Sequence, residues 1–145
     1  MEQLQLLPEF ISNHLFLVGA FVVVLALLVK AEFEHQTIRK LLVDPIQATR
    51  LMNNDDALVI DVRSDAEYAK GHIKHARHVP ASEAVDKVAK LTKSKNDAII
   101  VYCNVGNSSA RVCRALTREG YTNVKNLKGG LAAWQESNLP VSSGR

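Results

Sequence analysis

The N-terminal part of the chain contains one long apolar run. No residue from Phe10 to Val29 is charged when His14 is neutral, and positions 15–29 are apolar or glycine throughout. A helix rises ~1.5 Å per residue, so twenty residues span the ~30 Å hydrocarbon core of a bilayer. A helix in the core of a water-soluble domain would carry polar residues on one face. The pattern therefore predicts a transmembrane helix over about residues 10–29, within an N-terminal segment 1–30.

A cleaved signal peptide is the alternative interpretation, because Val29, Lys30 and Ala31 loosely resemble a cleavage site. The residues before the apolar run carry no positive charge, which a signal peptide would have. All basic residues follow the run, beginning at Lys30. By the positive-inside rule we expect a single-pass protein of the inner (cytoplasmic) membrane, with a short N-terminus outside and the remainder in the cytoplasm.

After the membrane segment, short apolar stretches alternate with helical patterns. The apolar stretches at 57–62 and 98–103 have the length of strands and are bounded by turn-forming residues, and a further short strand is predicted over 122–127. Strands that alternate with helices are typical of an α/β fold with a parallel sheet flanked by helices. We expect a juxtamembrane helix or linker over 31–43, one domain over 44–138, and a polar tail over 139–145 that is frayed from residue 142.

Sequence signals also place the ends of the helices. Asp44 before Pro45 is typical of a helix start, and Ser64 with Glu67 forms a capping-box pattern for a helix ending before Gly71. Further helices are predicted over 81–91, with a buried stripe of Val85, Val88 and Leu91, over 109–119, and after Gly129 and Gly130.

Composition narrows the possible functions. The chain has 145 residues, 47% of them apolar and 23% charged, and only two cysteines, which excludes a disulfide-rich scaffold and a four-thiolate zinc site. Residues 30–145 carry a net charge of +5, spread among interleaved acids. With 6% aromatic residues, this charge gives no indication of nucleic-acid binding.

Cys103 stands at the carboxyl end of a predicted strand, where α/β sheets form their sites. The loop after it leads into a helix, whose N-terminal N–H groups and dipole favour the thiolate form. Gly106 permits a turn in which successive N–H groups point at one anion. The alternative at this point is that Cys103 is a small apolar residue ending a buried strand.

Three motifs in order resemble those of single-domain rhodaneses. They are D-V-R-S-D-A-E-Y-A-K-G-H-I-K-H-A-R-H-V-P (61–80), Y-C-N-V-G-N-S-S-A-R (102–111) and G-Y-T-N-V-K-N-L-K-G-G-L-A-A-W (120–134). The resemblance implies a rhodanese-like α/β fold with a parallel five-stranded sheet. It also implies that the Cys103 thiolate takes sulfur from thiosulfate or a persulfide and passes it to cyanide or a thiol, without a metal or organic cofactor.

The resemblance implies substrate-binding residues in the loop after the cysteine: Asn104, Val105, Gly106, Asn107, Ser108 and Ser109. Residues of the first motif are expected to brace this site: Asp61, Arg63, Glu67 and His72. Cys113, inside a predicted helix, is interpreted as a core residue.

The chain departs from the family pattern at two positions. Ser108 stands where many members have a basic residue, and His75 replaces the usual glycine. The first departure weakens the expectation that thiosulfate is the donor. A related phosphatase activity would need an arginine six residues after the cysteine, where Ser109 stands. A membrane-tethered interaction module that associates with a larger integral-membrane complex remains the alternative to a sulfurtransferase.

Overall fold

The computed structural model describes residues 13–144, except for the side chains of 33–39. The chain forms two compact units, with the boundary in the sequence between Arg39 and Lys40. The helices are α1 (Leu15–Leu41), α2 (Pro45–Asn54), α3 (Asp65–Lys70), α4 (Ala84–Leu91), α5 (Asn107–Arg118) and α6 (Gly130–Glu136). The strands are β1 (Leu42–Val43), β2 (Leu58–Asp61), β3 (His72–Ile73), β4 (Arg77–His78), β5 (Ile99–Tyr102), β6 (Val124–Leu127) and β7 (Val141–Ser142).

The helix α1 accounts for the described part of the first unit. Its window Leu15–Glu32 has a mean hydropathy of 2.4 and none of it is buried, so this helix is long and apolar enough to cross a membrane. The predicted apolar helix is therefore confirmed over its described residues, whereas positions 10–12 lie outside them. The helix continues to Leu41, so the segment predicted as a juxtamembrane helix or linker is helical up to this residue.

A five-stranded parallel sheet organises the second unit, in the order β1-β6-β5-β2-β4. This confirms the predicted fold class. The four-residue strands β2 and β5 lie in the predicted apolar stretches, and β6 lies in the short strand predicted over 122–127. The outer strands β1 and β4 have two residues each, too few to produce a recognisable pattern of their own.

Both faces of the sheet are covered, which explains the unbroken apolar sequence of β5. All four of its residues are buried. Ile99 and Val101 pack with Val88 and Leu116 on one face, and Ile100 packs on the opposite face in a second apolar cluster that includes Trp134.

The capping signals act as predicted. The Asp44 side chain accepts from the N–H of Gln47, and Ser64 accepts from the N–H of Glu67, whose carboxylate accepts in return from the Ser64 N–H. Each reciprocal pair satisfies two backbone donors that a helix N-terminus would otherwise leave unpaired. The starts of α2 and α3 are thus confirmed.

Two expectations about packing are wrong. Val88 is buried, but Leu91 is 43% exposed, because it is the last residue of α4 and the chain becomes extended at Thr92. The C-terminal tail is ordered rather than frayed at Ser142, which together with Val141 pairs in antiparallel fashion with β3. Backbone pairing of this kind leaves no signature in the polarity of the side chains.

His75, which stands in place of the usual family glycine, adopts a left-handed backbone conformation with φ of 66°. This conformation favours glycine because it has no Cβ. The glycine of the family pattern is therefore explained by a turn between β3 and β4, and this chain makes the same turn with an exposed histidine.

Candidate active site

Cys103 directly follows β5, and the chain reverses within three residues to start α5. Gly106, with φ of 98°, is the N-cap residue, so the helix begins at Asn107 and not at the predicted position 109. Only Asn104, Val105 and Gly106 therefore form the loop. Asn107, Ser108 and Ser109 belong to the first helical turn, whose amide N–H groups point back towards the sulfur end of the site.

The Cys103 sulfur is buried and faces hydrogen-bond donors. The Gly106 N–H lies 3.1 Å from Sγ, and the Ser109 hydroxyl lies 3.4 Å from it. Burial raises the pKa of the Cys103 thiol, but hydrogen bonds from the Ser109 hydroxyl and from backbone N–H groups outweigh it, and the pKa is lowered overall. A lowered pKa increases the fraction of thiolate, which is the nucleophilic form.

The carbonyl groups of the same loop point away from the sulfur. The N–H of Leu131 donates to the carbonyl of Cys103 at 2.9 Å, and the N–H of Ala132 donates to that of Asn104 at 3.1 Å. Both donors lie in the first turn of α6. Because this helix binds the carbonyls, the opposite edge of the loop is left to present its N–H groups to the sulfur.

Arg63 connects the first motif with the cysteine loop. Its guanidinium binds the fully buried carboxylate of Asp61, with Nη2 and Oδ2 at 2.6 Å. It also donates to the Gly71 carbonyl at 2.6 Å and to Oδ1 of Asn104 at 3.2 Å. Of the predicted bracing residues, Arg63 thus binds the neighbour of Cys103 directly, and Asp61 binds Arg63.

Glu67 completes this network from the other side of Asn104. The Asn104 Nδ2 group donates to the Glu67 carboxylate, which also accepts from Ser64. These hydrogen bonds, the one from Asn104 first, lower the pKa of Glu67 to about 2. Its ionised form therefore stabilises the fold above the ordinary glutamate pKa, and this contribution is lost progressively as the pH falls from that value towards 2.

His72, the fourth predicted bracing residue, packs beside α3. Its Nδ1 lies 2.9 Å from the Tyr68 carbonyl, and its ring stacks on that of Tyr68 at 3.8 Å. These contacts orient β3 and α3 relative to each other. His72 therefore supports the arrangement of these two elements, and it makes no described contact with the Cys103 sulfur.

The side chains that surround the buried sulfur differ in their contacts. Val105, in the loop, is 59% exposed, and Ser108, in the first turn of α5, is exposed. The Asn104 amide, in contrast, is engaged by Arg63 and Glu67. Val105 and Ser108 thus lie at the surface, whereas the Asn104 side chain is held by the protein.

Cys113 lies in α5 and is fully buried. Burial, and secondarily the proximity of Cys103, raise the pKa of its thiol to about 12. It therefore remains a neutral thiol in the core, in agreement with its interpretation as a packing residue.

One polar residue of the site was missed in the sequence. Asn126 is buried near the end of β6, next to β5 in the sheet, and bonds both Gly106 and Ser109. The only available signal was an asparagine in a short strand whose neighbours along the chain are Lys125 and Leu127.

A parallel five-stranded sheet with a buried, donor-facing cysteine after its central strand is the arrangement of a rhodanese-like domain. Residues 44–137 match the family described as the rhodanese-like domain. The chain belongs to this family.

Individual relatives agree with this assignment. The Escherichia coli K12 "Uncharacterized protein YibN" is 32% identical over 143 residues, covering 98% of this chain and 100% of that protein. A "Sulfurtransferase" of Allochromatium vinosum is 34% identical over 92 residues, covering 63% of this chain and 84% of its own. The solved rhodanese-like domain of an Anabaena protein has a TM-score of 0.64 at 28% identity, covering 71% of this chain and 79% of its own.

Proposed function

We propose that this protein is a membrane-anchored sulfurtransferase in which Cys103 carries sulfur as a persulfide. The observation that supports this most strongly is the environment of Sγ, which receives the Gly106 N–H and the Ser109 hydroxyl while the thiol pKa is lowered. The same donors would stabilise the negative charge of a bound persulfide. The sulfurtransferase among the relatives supports the same class of reaction.

The proposed cycle needs no external oxidant or reductant. The Cys103 thiolate attacks the outer sulfur of thiosulfate, the sulfur–sulfur bond breaks, and sulfite leaves with the bonding electron pair. A thiolate or cyanide then attacks the terminal sulfur of the persulfide, and the Cys103 thiolate leaves. With a persulfide donor, the leaving group of the first step is the donor's thiolate.

The electrostatics of the loop favour a persulfide donor over thiosulfate. Ser108 provides a hydroxyl where a basic side chain would bind a dianion, and Arg63 is already committed to Asp61, Gly71 and Asn104. Thiosulfate would then be held by N–H groups, hydroxyls and the helix dipole alone. We therefore propose that a persulfide loads Cys103 faster than thiosulfate does.

Intact-mass measurement of the full chain in detergent tests this proposal. After incubation with thiosulfate or with glutathione persulfide, we expect a gain of one sulfur atom, removed by cyanide and missing in Cys103→Ser. Cys113→Ser is the matched control and should still gain sulfur, because the Cys113 thiol is buried. If neither donor adds sulfur to Cys103, this would contradict the proposed enzymatic activity. It would favour the alternative, a membrane-tethered interaction module that associates with an integral-membrane complex.

We further propose that α1 anchors the chain in the inner membrane with the rhodanese-like domain in the cytoplasm. Support comes from its apolar length, the absence of buried residues in Leu15–Glu32, and the basic residues that follow it. The similarity to YibN over 98% of this chain includes most of this segment.

A cysteine-labelling experiment checks this topology in a Cys103→Ser, Cys113→Ala background. We expect a membrane-impermeant maleimide to label Ser143→Cys only in inverted membrane vesicles and Gln3→Cys only in intact spheroplasts. The reverse pattern would contradict the orientation. A mature chain that begins near Ala31 would instead establish a cleaved signal peptide.

A further inference from the structure

Two buried polar side chains lie beneath the loop after Cys103, and neither belongs to that loop. Ser109, in α5, is fully buried, and Asn126, in β6, is 4% exposed. Burying two such groups is unfavourable unless each finds a hydrogen-bond partner. Their partners are each other and the loop around Cys103.

Asn126 binds two of the residues whose polar groups face the sulfur. Its Oδ1 lies 2.7 Å from the Ser109 hydroxyl, and its Nδ2 donates to the Gly106 carbonyl at 3.1 Å. The Gly106 N–H in turn donates to Sγ at 3.1 Å, and the Ser109 hydroxyl, which carries one proton, lies 3.4 Å from Sγ. The four residues form a ring of contacts in which Cys103 and Asn126 lie on opposite sides.

An asparagine fits this position because its amide carries one donor and one acceptor side in a fixed plane. The donor side fixes the Gly106 peptide so that its N–H faces the sulfur, and the acceptor side fixes the Ser109 hydroxyl. An aspartate would offer acceptors on both sides and add a negative charge, while a leucine would offer neither donor nor acceptor.

We propose that Asn126 is a positioning residue for Cys103. It holds Gly106 and Ser109, whose N–H and hydroxyl groups stabilise the sulfur in its thiolate and persulfide forms. This inference rests on the proposed function for its role in sulfur transfer. Ser109 has one hydroxyl proton and two acceptors within reach. It donates to either Sγ or Asn126 Oδ1 at any one time, and Asn126 keeps the hydroxyl within reach of the sulfur in both cases.

Charged and titratable groups from other elements also surround the cysteine. Cys113 of α5 is a buried neutral thiol, Arg63 is paired with Asp61, and Glu67 reaches the loop through Asn104. On β6 itself, the Lys125 ammonium group donates to the carbonyl of Lys40. None of these described contacts substitutes for the two that Asn126 makes with Gly106 and Ser109.

Asn126→Asp tests the proposal, because it turns the donor towards Gly106 into an acceptor and places a carboxylate near Sγ. We expect the pKa of Cys103, measured as the pH dependence of iodoacetamide alkylation of the full chain in detergent, to rise by about one unit or more. Alkylation at pH 7 should slow about tenfold. In a Ser109→Ala background the effect should be smaller, because one of the two routes to the sulfur is missing.

Asn123→Asp is the matched control, since it introduces the same charge just before the opposite end of β6. It should leave the alkylation profile unchanged. A folded Asn126→Asp variant whose profile matches that of the unsubstituted protein, or a control that shifts it equally, would overturn the proposal.

A second measurement needs no substitution and therefore does not depend on the variant folding. In ¹H–¹⁵N spectra of the unsubstituted protein, the side-chain amide of Asn126 should titrate with the midpoint of Cys103 alkylation, while that of Asn123 should not. An Asn126 amide that does not follow this midpoint would overturn the proposal. Neither measurement uses a sulfur donor, so failure of sulfur loading would contradict the proposed function separately.

Discussion

Gly130→Ala is expected to destabilise the rhodanese-like domain by roughly 3 kcal/mol or more and to abolish sulfur loading of Cys103. A Cβ at this position would overlap the Cys103 carbonyl oxygen and lie 2.6 Å from the carbonyl carbon of Asn104. Both neighbours are backbone atoms, which cannot move without displacing the loop. The left-handed φ of 59° adds strain for any residue with a Cβ.

Urea unfolding of the full chain in detergent measures this loss, followed by the fluorescence of Trp134, the single tryptophan. Gly120→Ala is the control, because Gly120 has a φ of 92° but nothing within 4 Å of the added Cβ. Its free energy of unfolding should fall only by ~1–2 kcal/mol, because of backbone strain, and it should retain sulfur loading. Equal losses in the two variants would show that the close approach of α6 to the cysteine loop has no energetic importance.

Arg63→Met is expected to destabilise the domain by about 3–5 kcal/mol, since it leaves the fully buried Asp61 carboxylate without its cation. It also releases Oδ1 of Asn104 and the Gly71 carbonyl from their shared donor. We expect sulfur loading to slow as well, because the side chain of Asn104, next to Cys103, is then held by Glu67 alone. Urea unfolding and intact-mass kinetics measure the two effects.

The double variant Asp61→Asn, Arg63→Met distinguishes two effects on stability: the loss of the ion pair itself, and the burial of an Asp61 carboxylate that has no cation beside it. It should be more stable than Arg63→Met alone, because no buried carboxylate remains unpaired. Arg63→Lys should not restore the original stability, since an ammonium group lacks the planar fork that contacts Asp61, Gly71 and Asn104 together. Additive effects of the two single substitutions would contradict this interpretation.

Much of the fold was predictable because its signals are local. The capping pairs at Ser64 and Asp44 depend on residues three positions apart, and the buried strand β5 is apolar on both faces. The outer strands β1 and β4 and the tail strand β7 were not predictable in this way. Each is two residues long and is formed by backbone pairing with a distant segment, which side-chain patterns do not report.

The same distinction between local and long-range contacts determines which parts of the site were predictable. Cys103 and Gly106 stand in one short motif, so their relation was visible in the sequence and by resemblance. The contact of Asn126 with Ser109 crosses from one element to another, seventeen residues away along the chain. The contact between Arg63 and Asn104 spans forty-one residues. Such contacts depend on strand order, which places the ends of β2, β5 and β6 at one edge of the sheet.

The pairing of Val141 and Ser142 with β3 also bears on where this domain ends. The family match stops at residue 137, before the strand that covers His72 and Ile73. A chain shortened to that boundary would lose this pairing at His72, while the Ile73 N–H would still donate to the Tyr102 hydroxyl and its carbonyl would still accept from the Ala76 N–H. A boundary drawn from sequence similarity alone would therefore remove a strand that belongs to the fold.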